Sequence, residues 1–307
     1  MIRFTATRIS DEIMSLLNGR ANGRVHSVFE SAMNIQVNEG LITLLSTECS
    51  LQPRSIVLAE AVSFSEIGFR AKDVVGITPD GIQVGRCAVI NTKGAKEVSL
   101  RMPSCAIGID SLAYHGRLLV LEEAISQSKE MAEGLAPVLC HLFPDLQFHV
   151  DHNVWSGFLM ERLRRLYEVL CGCDVDACPE VGRAIAGCGP GLTPSSDDFL
   201  VGVFAALYGA AAAGKLDGTI AADLCHQLSA GASSQTGMIS ASFIKSGALG
   251  YFGEDINHLV SSFFAPDNQN ADLMELATQL CAKGSTSGVD TLAGIWFGLT
   301  ACTKIDV

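Results

Sequence analysis

Gly187-Cys188-Gly189-Pro190-Gly191-Leu192-Thr193-Pro194-Ser195-Ser196-Asp197-Asp198 runs directly into a long apolar stretch. Three glycines and two prolines within its first eight residues exclude a regular element there. Beyond it, residues 199–214 carry no charge over 16 positions. As a helix that run reaches about 24 Å, short of the roughly 30 Å hydrocarbon core of a bilayer. It is rich in Ala and Gly and follows two aspartates, so it is expected to be a buried core helix entered from a loop of exposed backbone. A helix start carries unpaired N–H groups and the positive end of a dipole, which suits a small anion. Ser195 and Asp198 also have capping-box spacing, with Asp in place of Glu. A capped helix behind a tight loop is therefore the plainer alternative. The string is not a standard phosphate motif. It lacks the second glycine and the lysine of a Walker A loop, Leu192 stands where Gly-x-Gly-x-x-Gly needs its last glycine, and no clear strand precedes it.

The same pattern returns further on. Ser195-x-x-Asp198-x-Leu200-x-Gly202 overlays Ser287-x-x-Asp290-x-Leu292-x-Gly294, with Thr193 and Thr286 just upstream. Each copy opens an apolar helix. Two helix starts of this kind are expected to converge on one pocket, with Gly202 and Gly294 letting the helices approach closely. Between the copies, Thr236 and Ser240 share a face at i, i+4 if 233–248 is one helix. Their hydroxyls then either line the same pocket or bond back to the helix carbonyls.

Working outward, helical periods fill the C-terminal part. Helices are expected over 117–132, 153–171 (capped by Asp151), 196–213, 218–230, 233–248, 253–264, 270–282 and 288–302, with 171–180 a loop. The N-terminal part reads differently. After a short helical segment at 11–18, apolar or alternating runs lie at 25–29, 33–37, 41–45, 55–58, 74–77, 82–84, 86–90 and 98–101. Asn38-Glu39-Gly40 and Thr78-Pro79-Asp80-Gly81 supply turns between them. The expected fold is α+β: an antiparallel β barrel or sandwich over 1–112, then an all-helical domain over 113–307 that carries the glycine-rich loop.

Composition narrows the partners. The 307 residues carry a formal net charge of −12, with 48% hydrophobic and 18% charged residues. Disorder needs lower hydrophobicity and higher charge density. Nucleic acid wants a basic surface, and anionic membranes repel an acidic one. The start of the chain lacks the apolar core of a signal peptide, and the eleven cysteines are scattered, so a cytoplasmic protein with reduced thiols is expected. Cys171, Cys173 and Cys178 lack the paired spacing of a zinc site, and His149 and His152 fit no metal motif. No metal or cofactor is expected. Mg²⁺ at Asp197 and Asp198, helped by a substrate phosphate, is the alternative, but adjacent carboxylates at a helix start usually serve the dipole.

The string from Gly187 to Asp198, followed by Thr286-Ser-Gly-x-Asp290, resembles the AllH-like family. Further traces of the resemblance are Ser27-Val-Phe29 with Ala32-Met-Asn34-Ile, and Thr236-x-x-x-Ser240-x-x-x-Ile244 with Gly250. The sequence departs from the family pattern at Ser196, where glycine is frequent, and at Ser285, where histidine is frequent. The resemblance implies a subunit of oxamate carbamoyltransferase in allantoin breakdown. That enzyme interconverts carbamoyl phosphate plus oxamate and oxalurate plus phosphate, and the subunit works beside FdrA-like and other carbamoyltransferase subunits.

The residues of the two helix starts are expected to suit these small anions. Backbone N–H groups at Gly189, Gly191 and Ser195 hold a phosphate or carboxylate. Thr193, Asp197, Thr236, Ser240, Thr286, Ser287 and Gly288 complete the binding set, and Arg183 and Lys283 are candidates for added positive charge. Asp198 and Asp290 are the candidates for the chemistry, expected to orient the loops rather than take protons. Carbamoyl transfer needs orientation and oxyanion stabilisation more than a protein nucleophile. The competing expectation is a non-catalytic scaffold or ligand-sensing subunit in which the loop only stabilises helix packing. A stand-alone acyl- or phosphoryl-transfer enzyme is a third.

Overall fold

The computed structural model describes residues 1–38, 40–105, 109–266 and 269–305. The chain divides into two compact units, Met1–Leu100 and Arg101–Val307.

The first unit is a β barrel. Its strands are β1 (Ile2–Ser10), β2 (Ala21–Val28), β3 (Ala32–Val37), β4 (Gly40–Leu45), β5 (Ser55–Leu58), β6 (Val74–Thr78), β7 (Gly81–Val84), β8 (Ala88–Asn91) and β9 (Lys96–Val98). Short helices α1 (Met14–Leu17) and α2 (Phe64–Ile67) lie between strands. The circuit runs β1-β5-β4-β3-β2-β6-β7-β8 and returns to β1, with β9 added alongside β1. Alternation drives it: Val25, Ile35, Ile42, Leu44, Val75, Ile77, Ile82 and Ile90 are buried in one core. Irregularities in register between Ala6 and Arg8, and between Val25 and Ser27, provide the local bends that closure needs.

The expected turn 78–81 is present, pairing Thr78 with Gly81. The expected turn at 38–40 includes Glu39, which lies outside the described residues. Pairing is antiparallel around most of the circuit but parallel for β1–β8 and β4–β5. Short turns in sequence signal only hairpins, so the parallel pairs escape notice. β1 was not anticipated either. Its buried Phe4, Ala6 and Ile9 alternate with Arg3, Thr5 and Thr7, and β1 becomes a strand by pairing with partners far along the chain.

The second unit is helical: α3 (Ser111–Gln127), α4 (Ala136–Leu142), α5 (Ser156–Cys171), α6 (Cys178–Ile185), α7 (Ser195–Ala212), α8 (Gly218–Ala232), α9 (Met238–Ala248), α10 (Glu254–Phe264), α11 (Asn270–Cys281) and α12 (Ser287–Cys302). Helices α7 and α12 are apolar nearly all round and form its centre, as such helices must. Their rings meet at Phe199 and Phe297, with centroids 5.2 Å apart. No helix among the described residues is long and apolar enough to cross a membrane.

Three local expectations change. Helix α4 lies outside the expected helices and α6 begins inside the expected loop 171–180; Pro137 and Pro179 stand in their first turns, where proline is tolerated. The cap of α5 is Asn153 rather than Asp151. Its Oδ1 accepts N–H bonds from Trp155 at 3.0 Å and Ser156 at 3.1 Å. The expected helix 233–248 is broken, and α9 starts only at Met238.

Candidate functional site

Helices α7 and α12 cross so closely that side chains are excluded at the contact. A Cβ added at Gly202 would overlap the Thr291 carbonyl oxygen, and one at Gly294 would overlap that of Phe199. The two contacts are reciprocal, because Gly202 and Gly294 hold the same place in the Ser-x-x-Asp-x-Leu-x-Gly repeat, as do Phe199 and Thr291. The repeat is thus a pseudo-symmetric helix pair whose N-termini come together. Ser195 Oγ lies 3.3 Å from Thr286 Oγ1, across 91 residues of chain.

Neither serine caps its own helix. Ser195 and Ser287 are the first residues of α7 and α12, and neither helix has a side-chain cap bond. The capping-box alternative is not what these residues form. Their hydroxyls turn to the opposite helix instead: Ser195 acts on Asp290 of α12, and Ser287 on Asp198 of α7.

Both carboxyls are deeply buried. Asp290 is 0% exposed and Asp198 9%. Each has an Oδ2 with no hydrogen-bond partner among the described residues. Burial pushes the Asp198 pKa up to about 8. The Ser287 hydroxyl opposes this, the Asp290 charge adds to it, Thr193 opposes it and Asp197 adds to it. Burial raises Asp290 to about 6, opposed by the Ser195 hydroxyl, the Leu135 N–H and the Thr286 hydroxyl. The Leu135 N–H donates to Asp290 Oδ1 at 2.7 Å.

Sequence reasoning missed this last contact. It comes from the turn before α4, where Gly134 packs against the Asp290 carboxylate so tightly that no Cβ fits. Asn153 Nδ2 ties that turn to the start of α5 through the Gly134 carbonyl at 2.7 Å. The available signal was Gly134 three residues before Pro137, a turn followed by a helix start.

Asp197 shapes the loop. Its Oδ1 accepts the Gly187 N–H at 2.8 Å and its Oδ2 accepts the Thr236 hydroxyl. Thr236 therefore reaches Asp197 from the loop before α9, not from a helix face shared with Ser240. Ser240 is buried on α9 and weakly favours the ionised form of Asp197, whose pKa burial raises. Ser196 accepts the Cys188 N–H through Oγ at 2.9 Å, while its own N–H donates to the Cys188 carbonyl. Gly187, Gly189 and Gly191 all have positive φ, at 79°, 128° and 90°, a region that disfavours any side chain. Gly189 lies directly over the Ser195 nitrogen.

Gly288 is buried in the first turn of α12. Lys283 forms an ion pair with Asp255, and Arg183 and Ser285 are exposed. The remaining motifs stay apart from this site. His152 stacks on His141 at 3.6 Å, and Cys171, Cys173 and Cys178 are free thiols. Among the described residues, no three His, Cys, Asp or Glu side chains are grouped to hold a metal. A cavity of about 370 Å³, lined by Tyr114, Lys215 and Thr303, lies at the opposite, C-terminal ends of α7 and α12. Helix C-termini disfavour anions.

Two family models match the chain. The AllH family N-terminal domain matches residues 5–97, and oxamate carbamoyltransferase subunit AllH matches residues 185–299. Together they span more than half of its length. No solved structure matches it.

Proposed function

The chain belongs to the AllH family, and on that premise we propose that it serves carbamoyl transfer between phosphate and oxamate, at the junction of α7 and α12. The observation that carries this reading is the meeting of the two Ser-x-x-Asp helix starts, each with a buried carboxyl oxygen left unpartnered. Such oxygens are costly in a finished core. They are understandable where a ligand completes them.

The geometry supports the following division of labour. The amides of Gly189, Gly191 and Ser195 and the dipole of α7 bind the phosphate or carboxylate. The hydroxyls of Thr193, Thr286 and Ser287 add donors, with Gly288 letting α12 begin close by. Asp197, Thr236 and Ser240 keep the loop in its binding shape. Asp198 and Asp290 face the reacting groups. Holding both substrates in one orientation, away from water, supplies most of what the reaction needs. FdrA-like and other carbamoyltransferase subunits are the proposed partners, and a soluble cytoplasmic assembly is the proposed setting.

The test is oxalurate phosphorolysis by the reconstituted complex. Asp198→Ala and Asp290→Ala are each expected to abolish it while circular dichroism stays unchanged. Undiminished turnover in both would remove this junction from the chemistry and favour a scaffold role. Calorimetric titration of the chain with carbamoyl phosphate and with oxamate would then show whether it still senses either ligand.

A further inference from the structure

We propose that Asp198 and Asp290 hold a single proton between them, with Asp198 the acid and Asp290 the base of the transfer. The acid and base roles rest on the function proposed above; the shared proton rests on the fold alone. Two carboxyls buried at one helix junction cannot both ionise cheaply, since each charge lacks water and opposes the other. The charged groups acting on Asp198 are Asp290 and Asp197, both acidic. Lys283, in the turn before α12, is engaged with Asp255. Glu133, in the turn before α4, is exposed. Among the described residues, no cationic side chain acts on either carboxyl.

The symmetry of the repeat breaks in one respect that decides where the proton sits. Asp290 receives a backbone N–H from Leu135. That group only donates, so it favours a carboxylate. Among the described residues, the hydrogen bonds that act on Asp198 come from the hydroxyls of Ser287 and Thr193, and a hydroxyl can serve either protonation state. The proton therefore resides on Asp198. Both free Oδ2 atoms remain for ligand.

In the transfer direction, the oxamate nitrogen bonds to the carbamoyl carbon while its proton passes to Asp290. The bond from that carbon to the phosphate oxygen breaks, and the Asp198 proton passes to the departing oxygen. The pair starts with its proton on Asp198 and ends with it on Asp290, so protons balance without solvent. Phosphorolysis runs the same steps backwards.

Two measurements on the full chain test this. Carbon-13 NMR of labelled aspartate carboxyls is expected to show one of the pair protonated and the other ionised at neutral pH. Asp290→Asn should lower the pH at which Asp198 titrates. Two carboxyls both ionised at neutral pH would overturn the shared proton, whatever the activity. In the reconstituted complex, Asp198→Asn should remove the alkaline limb of the transfer rate and Asp290→Asn the acid limb, each with a loss of about 100-fold or more at neutral pH. An equal loss at every pH in both variants, with both pH limbs retained, would overturn the acid and base roles. A complex without carbamoyl transfer whose carboxyls still share one proton would retire the reaction and keep the pair.

Discussion

Asp197, beside Asp198, acts by holding backbone. Both of its oxygens are engaged, one by the Gly187 amide and one by the Thr236 hydroxyl, so it joins the glycine loop to the segment before α9. Asp197→Ala leaves those donors unpaired and is expected to cost roughly 1–3 kcal/mol of stability. Denaturant unfolding would measure it. Its neighbour carries a different cost. Burial raises the pKa of Asp198 to about 8 and of Asp290 to about 6, from 3.8 in the free side chain. The folded state therefore binds these protons more tightly than the unfolded chain. Their contribution to stability is fully present below pH 3.8 and is lost as pH rises through 6 and then 8. Asp198→Asn cannot ionise, so its melting temperature should fall less steeply than that of the wild type between pH 5 and pH 9. Parallel curves would contradict the buried, protonated Asp198.

The pair of α7 and α12 is the element on which the site depends. Its crossing point is made of main chain on both sides, Gly202 against Thr291 and Gly294 against Phe199. Ala at either glycine forces the helices apart and is expected to destabilise by about 1–3 kcal/mol, with the reciprocal pair giving similar values. It should also separate Ser195 from Thr286 and lower turnover in parallel with stability. Thermal melts and phosphorolysis assays on Gly202→Ala and Gly294→Ala would check both. The repeat was legible in sequence because Ser, Asp, Leu and Gly recur at one spacing. The fate of its hydroxyls was not. A Ser-x-x-Asp string has the form of a cap, and only an apposed second copy draws the hydroxyls across to the other helix.

At the scale of the molecule, the barrel and the helical unit each have a core of their own. Residues 1–100 are expected to fold alone, giving β-type circular dichroism and a cooperative melt, because every pairing that closes the barrel lies within them. An unfolded fragment would show that the barrel needs the rest of the chain. The net charge of −12 sets the character of the exterior and of its partners. It does not govern the junction of α7 and α12, where dipoles, hydroxyls and a carboxyl pair set the local field.

Local sequence was enough to read the two kinds of structure, the glycine loop ahead of a buried helix, and the pairing of two helix starts. Each of these is written in local periodicity, turn chemistry or a repeated spacing. The folded chain adds that β1 closes the barrel with parallel and antiparallel partners, that Leu135 donates to Asp290, and that the Asp198 and Asp290 carboxyls are both buried in the first turns of α7 and α12. Those features join residues far apart in the chain, and burial, which sets their energies, exists only once the chain has folded around them.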